Sequence, residues 1–404
     1  MLRFQFHLPT NILFGPGRLD ELAKTPHLPA GKKAMIVVGR GGSAIGHGYL
    51  GRVQGLLASR GVASVVSDLT RPNPESADVE EAAATAKKLG VDFVLGLGGD
   101  SALDSAKAIA LLAANDGACW DYVPQGSGRG RTPENPALPI VAVPTTAGSG
   151  SEADRYAVIS KTGGREKIGF GFDSMFPGLS IVDPKLTLSV PPRVTAATGL
   201  DALFHAVETF LSKSRQPVSD MLALEAAHLI AGHLPAAVDD GADETLRTVL
   251  AWAATASGMC MTLSRVISLH SLEHALSAFH PDLPHGLGLA LLALPYFSLL
   301  ADRAVEEGSA VILERFGDLA VALGEDDADG LPPEERPGPF LSALAGLIAD
   351  VGFGEDSLAD FGAGADEVEE LTDCAFATMG HLFEVTPVTL TPDDVREIYG
   401  QALV

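Results

Sequence analysis

The first half of the chain alternates between short, almost wholly apolar runs and longer amphipathic ones. MIVVG (35–39), SVVSD (64–68), VDFVLGLGG (91–99) and PIVAVPTT (139–146) are of the first kind. YLGRVQGLLASRG (49–61), SADVEEAAATAKKLG (76–90) and SALDSAKAIALLAAN (101–115) lie between them, with spacing that predicts helices. Strands with little polar alternation are buried on both faces, so the pattern predicts a parallel sheet covered by helices on either side. YAVIS and LSIVD, within residues 156–183, supply further strands. After about residue 190 the strand signals fade and Ala/Leu-rich helical patterns run to the end. The expected division is an α/β domain over 1–188 and an all-α domain over 189–404. PPRVTAATGLDALFHAVETFLS opens on prolines, which suit a first helical turn. TLTPDDVREIYGQAL reads as a helix with Thr391 as N-cap and Pro392 at its first position. The acidic, Pro/Gly-rich stretch 323–339 reads as an exposed loop. RFQFHL near the start reads as an exposed strand able to pair with a partner's edge, which favours a homo-oligomer, a dimer or larger.

Composition narrows the function classes. At 404 residues the chain exceeds one ordinary core, so two or three domains are expected. The formal net charge of −24 disfavours nucleic acid and anionic lipid as partners. It leaves room for a phosphate-bearing cofactor, because backbone amides at a helix N-terminus bind phosphate without side-chain charge. Cys119, Cys260 and Cys374 form no C-x-x-C pair, which argues against a disulfide framework and thiolate zinc and fits a reducing compartment. No signal-peptide pattern opens the chain, and no apolar run approaches the roughly 20 residues that span a bilayer. The expected location is cytoplasmic, with no membrane partner.

Chemistry concentrates in HSLEHALSAFHPDLPHG, which holds His270, His274, His280 and His285. His270 and His274 are four apart and share one face of a helix, as do Asp201 and His205 in GLDALFHAVE. His285, between Pro284 and Gly286, carries a loop signal. Three imidazoles and a carboxylate suffice to hold a divalent transition metal. Two glycine-rich turns follow strands. Gly96-Leu97-Gly98-Gly99-Asp100-Ser101 would let a backbone approach a ligand and open a helix toward a pyrophosphate, with Ser101 and Asp104 resembling a capping box. Pro144-Thr145-Thr146-Ala147-Gly148-Ser149-Gly150-Ser151-Glu152 follows the next strand, and its hydroxyls would line the same ligand at the C-terminal strand ends.

In that order, GLGGDSALDSAK (96–107), VPTTAGSGSE (143–152), VDPKLTLSVP, GLDALFHAVE, the histidine segment and TLTPDDVREIY resemble the iron-containing (group III) alcohol dehydrogenases, over nearly the whole chain. The resemblance implies a Rossmann-like dinucleotide-binding domain followed by an all-α metal-binding and catalytic domain, the architecture shared with dehydroquinate synthase. It implies Asp201, His205, His270 and His285 as metal ligands, for Fe(II) or for Zn(II) or another divalent ion, and His274 as the group assisting proton transfer. It places Gly98, Gly99 and Ser101 on the pyrophosphate, with Asp100 where many members have glycine. Thr145, Thr146, Ser149 and Lys167 fall around the nicotinamide and Asn73 near the adenosine, while His280 has no ligand counterpart and is expected in the pocket wall or a loop. After strand MIVV, NAD-preferring members tend to carry an acidic residue. Here Gly39-Arg40 stands instead, which favours NADP(H) over NAD(H).

The reaction implied is hydride transfer between NAD(P)(H) and a small primary alcohol or aldehyde, in a cleft between the two domains. A polyol (glycerol-type) dehydrogenase of the same superfamily is the neighbouring alternative. From another class, a helical metal phosphohydrolase would use histidines and an aspartate, but it commonly needs a His-Asp dipeptide, which is absent, and it leaves both glycine-rich turns without a role. A non-catalytic metal- or nucleotide-binding protein is the third possibility.

Overall fold

The computed structural model describes residues 3–403. Its strands are β1 (Asn11–Phe14), β2 (Lys33–Gly39), β3 (Ala63–Thr70), β4 (Phe93–Gly98), β5 (Ile140–Pro144), β6 (Ala157–Ser160), β7 (Lys167–Phe170) and β8 (Leu179–Val182). Its helices in the first half are α1 (Ser43–Gly46), α2 (Tyr49–Ser59), α3 (Ser76–Leu89), α4 (Asp100–Ala114) and α5 (Cys119–Tyr122). The second half holds α6 (Pro192–Leu211), α7 (Pro217–Asp239), α8 (Glu244–Leu263), α9 (Ser268–Phe279), α10 (His285–Glu306), α11 (Ala310–Ala322), α12 (Pro337–Asp350), α13 (Val368–Met379), α14 (His381–Val385) and α15 (Pro392–Ala402).

Six strands form one parallel sheet in the order β1-β8-β5-β4-β2-β3, and β6 and β7 form a separate antiparallel hairpin. Alternation along β2 sends Ala34, Ile36 and Val38 to one face, against Val53 and Leu57 of α2. Met35 and Val37 go to the other, against Val79 and Ala82 of α3 and Ile109 of α4. Both faces are apolar because both are covered, as the uninterrupted strand runs imply. The chain leaves β2 for one edge (β3), then returns to the other side of β2 as β4. The C-terminal ends of β2 and β4 therefore diverge into a crevice, the place where open parallel sheets bind ligands. Gly96 lets α4 lie close over β4: a Cβ there would come within 2.9 Å of Leu103 Cδ2.

Several details depart from the sequence expectations. Residues 3–10 form no strand. Pairing begins at Asn11, opposite Leu179 of β8, after Pro9 has removed a ladder donor. The stretch 323–339 is not a plain loop: it contains 3-10 turns at Ala328–Gly330 and Pro333–Glu335, Ala328 is buried in the helical core, and α12 begins at Pro337. Helices α7 and α10 reach the length and mean hydropathy of a membrane span, although no run was expected to, and both contribute residues to the helical core. Thr391 and Pro392 start α15 as expected, with a reciprocal capping box to Asp394.

The expected Ser101–Asp104 capping box does not form. Gly99 is the N-cap of α4, and Asp104 turns inward. The fully buried Lys107 ammonium donates to Ser151 Oγ (2.7 Å), Asp154 Oδ1 (2.7 Å) and the Tyr156 carbonyl (2.8 Å). Ser151 Oγ in turn donates to Asp104 Oδ1 at 2.7 Å, and the Val158 amide to Asp104 Oδ2 at 2.9 Å. A buried charge survives only when so partnered. This network ties α4 to the loop after β5, and that loop is keyed to the helical half. Gly150, at φ +66, lies so close to α8 that a Cβ would meet the Ala254 carbonyl and Gly258 amide at 2.5 Å, and Thr255 Oγ1 donates to Glu152 Oε1 at 2.6 Å.

Burial pushes the Asp104 carboxyl up to about 7, with Lys107 and Ser151 opposing. Its folded value thus lies above the usual 3.8, so the folded state holds the proton more tightly, and the stability this contributes is lost as pH rises through about 7. Asp104→Asn, which keeps the shape without the charge, should gain stability relative to the parent between about pH 5 and about pH 8. Urea unfolding at both values checks this, and a difference that does not change with pH would mean that Asp104 is ionised throughout.

Candidate metal centre and nucleotide cleft

Helix α6 carries Asp201, His205 and Glu208 on one stripe, at i, i+4 and i+7. Helix α9 carries His270 and His274 one turn apart. His285 is not in a loop: it is the first residue of α10, with Pro284 as its N-cap. The start of α10 presses onto α6 at Gly286, where a Cβ would stand 1.9 Å from the Ala197 carbonyl. That contact requires glycine, and it brings His285 over Asp201.

The Nε2 atoms of His205, His270 and His285 lie 3.6, 3.8 and 3.5 Å from a single oxygen, Asp201 Oδ1. Ligands bound tetrahedrally at about 2.0–2.2 Å are separated by roughly 3.4 Å, so the spacing is that of a coordination shell. Asp201 Oδ1 and His270 Nε2 are buried without a hydrogen-bond partner. Buried polar atoms left single in this way call for a bound group. Asp201, His270 and His285 bring their ligand atoms within 4.8 Å of one another, and His205 joins through Asp201 and by stacking on the His270 ring, 4.6 Å between centroids.

Two glutamates that sequence reasoning passed over set the orientation. His270 Nδ1 pairs with Glu208 Oε1, and His285 Nδ1 with Glu273 Oε2. Each pairing turns the Nε2 lone pair toward Asp201. Glu208 Oε2 also accepts the amides of Ile267 (2.9 Å) and His270 (3.4 Å), so one carboxylate caps α9 and aims its first histidine. Lys167 Nζ, on β7, stands 3.4 Å from both Glu273 Oε2 and His285 Nδ1. Three buried carboxylates, Asp201, Glu208 and Glu273, thus face one buried ammonium, and two negative charges are left for a divalent cation to balance. A second grouping of Glu273, His274 and His285 is the poorer cation site, because Lys167 already neutralises it.

The titration of the cluster follows from these contacts. Burial drives His205 down to about 3, keeping its lone pair free. Burial raises Asp201, but His205, His285 and His270 outweigh it and hold the carboxyl well below its usual range. Burial lowers His270, but Glu208 and Asp201 push it up to about 10, so an incoming cation displaces a proton there. Burial, then Lys167 and His285, holds His274 well below an ordinary histidine. It is neutral, and its Nδ1 has no partner.

A cavity of about 810 Å³ runs between the two halves, lined by Asp201, His205, His270, His274 and His285 on one wall and by Asn73, Asp100, Ser101, Ser149 and Lys167 on the other. Asp100 is the first residue of α4; burial and Asp201 raise its carboxyl, against the Ser101 amide, His285 and Lys167. Asn73, at φ +53, reaches across the cleft and donates to the Pro281 carbonyl at 2.9 Å. Gly39, Gly98, Gly99, Thr145 and Thr146 do not line the cavity but cluster at the ends of β2, β4 and β5. The Thr145 amide donates to the Gly98 carbonyl at 2.8 Å, and a Cβ on Gly99 would stand 3.1 Å from Thr146 Oγ1. Nothing lies within 4 Å of a Cβ built on Gly39, so the end of β2 is open. His280 caps the C-terminal end of α9 and pairs with Glu367 at 2.8 Å, outside the cavity lining.

Residues 9–184 match the family model for iron-containing alcohol dehydrogenase, and residues 195–403 match the model for the C-terminal part of that family. Alcohol dehydrogenase 4 of Saccharomyces cerevisiae is 34% identical over 400 residues, 98% of each chain. The 1,3-propanediol dehydrogenase of Citrobacter freundii is 33% identical over 404 residues, 99% of this chain and 98% of the relative. The structure of an archaeal halo-thermophilic Red Sea brine pool alcohol dehydrogenase, bound to NZQ, superposes with a TM-score of 0.92 at 32% identity, over 100% of both chains.

His270→Ala should lose bound metal and activity together, and so should alanine at Asp201, His205 or His285. Glu208→Gln should keep the fold but weaken metal retention by about ten- to a hundred-fold. Because a proton must leave His270, metal uptake should tighten as pH rises toward about 10. Metal analysis of dialysed protein across a pH series tests all three expectations; full occupancy in His270→Ala would remove it from the ligand set.

Proposed function

The chain belongs to the iron-containing alcohol dehydrogenase family of oxidoreductases, and on that premise we propose that it moves hydride between a nicotinamide cofactor and a small primary alcohol or aldehyde in the cleft between its halves. The observation that carries this reading is the unpartnered Asp201 Oδ1, with three imidazole nitrogens around it, facing Asp100 and Ser101 at the start of α4 across one cavity.

Asp201, His205, His270 and His285 would hold the ion, Fe(II) by family and Zn(II) by equal chemical fit. When bound, the ion supplies Lewis acidity and the nicotinamide carries the hydride. The chain supplies the rest. The start of α4, at Gly98, Gly99 and Ser101, would direct free amides at the pyrophosphate. Thr145, Thr146, Ser149 and Lys167 would orient the nicotinamide end, and Asn73 the adenosine end. Asp100 stands beside that phosphate site, and the burial that raises its carboxyl limits the negative charge there. His274 takes the alcohol's proton in oxidation and returns it in reduction. Its low proton affinity keeps it free to accept, and Nδ1 has no competing bond. A fifth protein ligand would occupy the position that the substrate oxygen needs, so His274 stays off the ion.

Cofactor preference follows from the end of β2. Gly39 leaves space and carries no carboxylate, and Arg40 beside it is exposed. That combination accepts a 2′-phosphate, which supports NADP(H) over NAD(H).

Purified, metal-loaded protein with NADPH and an aldehyde should consume reduced nicotinamide and release no phosphate from phosphoesters; the reverse result would favour a phosphohydrolase. kcat/KM should be higher with NADPH than with NADH, and Gly39→Asp should move the preference toward NADH. Equal use of both cofactors, unmoved by that change, would place the preference elsewhere. His274→Ala should retain metal and bind cofactor, yet turn over about 10²–10⁴-fold more slowly with an altered pH profile for alcohol oxidation. Metal loss in His274→Ala matching that of His270→Ala would make His274 a ligand.

A further inference from the structure

The cavity does not end at the metal cluster. Its wall also takes in the apolar Phe170, Val266 and Leu382 and the polar Gln125, His381 and Arg265. Gln125 Nε2 lies 3.3 Å from His381 Nδ1, and two exposed charges of opposite sign, Arg265 and Glu384, both bear on the His381 ring. Three arginines line the cavity. Arg155 is paired with Asp173, and Arg193 with Asp356 at 2.8 Å. Arg265 alone makes no ion pair or hydrogen bond with any described residue. That is notable in a chain with 52 acidic and 28 basic side chains, where a free cation has many potential partners. Nor is any carboxylate of the lining paired with Arg265, and Glu384, which lies outside the lining, makes no ion pair with it either. Asp154 is committed to Lys107, and Asp282 follows Pro281 at the Asn73 end.

An unpaired guanidinium in the wall of the cavity that holds an electrophile-binding cluster, with apolar side chains in the same wall, matches a substrate that is reactive at one end and anionic at the other. Resting on the reductase reading above, we propose that Arg265, supported by His381 and Gln125, receives the carboxylate of an ω-carboxylated aldehyde, or of the corresponding hydroxy acid, while the carbonyl or hydroxyl end reaches the metal cluster. Arginine suits this role because its planar fork matches a carboxylate in two bonds. The apolar wall suits the methylene spacer, which loses nothing by leaving water.

The test uses the metal-loaded enzyme with pairs of aldehydes of equal chain length: butanal against succinate semialdehyde, and pentanal against glutarate semialdehyde. The acid of each pair should have the higher kcat/KM, mainly through KM. Arg265→Gln should lower the acid-to-alkanal ratio by about ten- to a hundred-fold, and Arg265→Lys should recover part of it. Calorimetric titration with glutarate and with pentanoate gives a readout free of turnover: the wild type should bind glutarate more tightly, and Arg265→Gln should not. A wild type that favours the plain alkanals, or a ratio unmoved in Arg265→Gln, overturns the proposal and leaves the reductase reading standing. If no aldehyde is reduced at all, the reductase reading falls; glutarate binding no tighter than pentanoate would then overturn the anion site as well.

Discussion

Three carboxylates buried against one ammonium form the constraint around which the helical half is arranged. Asp201, Glu208 and Glu273 are each almost wholly removed from water, and Lys167 is the one buried cation among them. Burying an unpaired charge costs several kcal/mol, so an interior of this composition is stable only when something positive completes it. Protons do this in part, which is why His270 is driven up by its two acidic neighbours. A divalent cation does it fully, with Asp201 Oδ1 and three imidazole nitrogens already at ligand spacing. The glutamates would be as necessary as the proposed ligands, because each fixes the ring whose far nitrogen faces the centre.

The fold supplies the opposite wall by different means. Parallel strands place every loop after a strand on one edge, and the reversal of strand order beside β2 opens a crevice there. Gly98, Gly99 and the start of α4 sit in that crevice for topological reasons, before any chemistry is considered. What fixes their distance from the metal cluster is the close fit between the halves. Gly150 against Gly258, Glu152 bonded to Thr255, and Lys167 reaching Glu273 from the β6–β7 hairpin leave little freedom for the loop after β5. The buried Lys107 network passes the same restraint on to α4.

Much of this was legible in the sequence, for identifiable reasons. The sheet was legible because buried parallel strands are uninterrupted apolar runs, and the α6 and α9 pairs because helical spacing puts residues four apart on one face. β7 was not. Four residues with a glycine in the middle carry no periodic signal, and its stability comes from pairing with β6 and packing against Met379 and Leu382. His285 was misread because Pro and Gly around it are turn signals, but here proline is an N-cap and glycine answers a steric demand from Ala197. Asp104, three residues after Ser101, looked like part of a capping box, yet its carboxyl serves the Lys107 network, a long-range contact that no local rule contains. Glu208 was within reach: it continues the Asp201–His205 stripe, and a glutamate on a ligand-bearing face is a signal in itself. Glu273, three residues after His270, offered the same clue. Arg265 offered none, since its meaning lies in the partners it lacks.

The two histidines of α9 show how environment, not residue type, divides the labour. They are one turn apart on the same helix, both buried, and both within reach of the cluster. His270 sits at the helix start, where Glu208 grips its Nδ1 and caps the backbone around it. The carboxylate raises its basicity and removes its freedom, which are the properties of a ligand. His274, one turn on, has no carboxylate bonded to its ring nitrogen, and burial, then Lys167 and His285, disfavour a charge there. It is left neutral and weakly basic with an open nitrogen. On the reading proposed above, such a group would compete poorly for a cation but could receive a proton briefly and release it. The spacing H-x-x-x-H alone does not divide the two proposed roles; the glutamate beside the first histidine and the lysine near the second do.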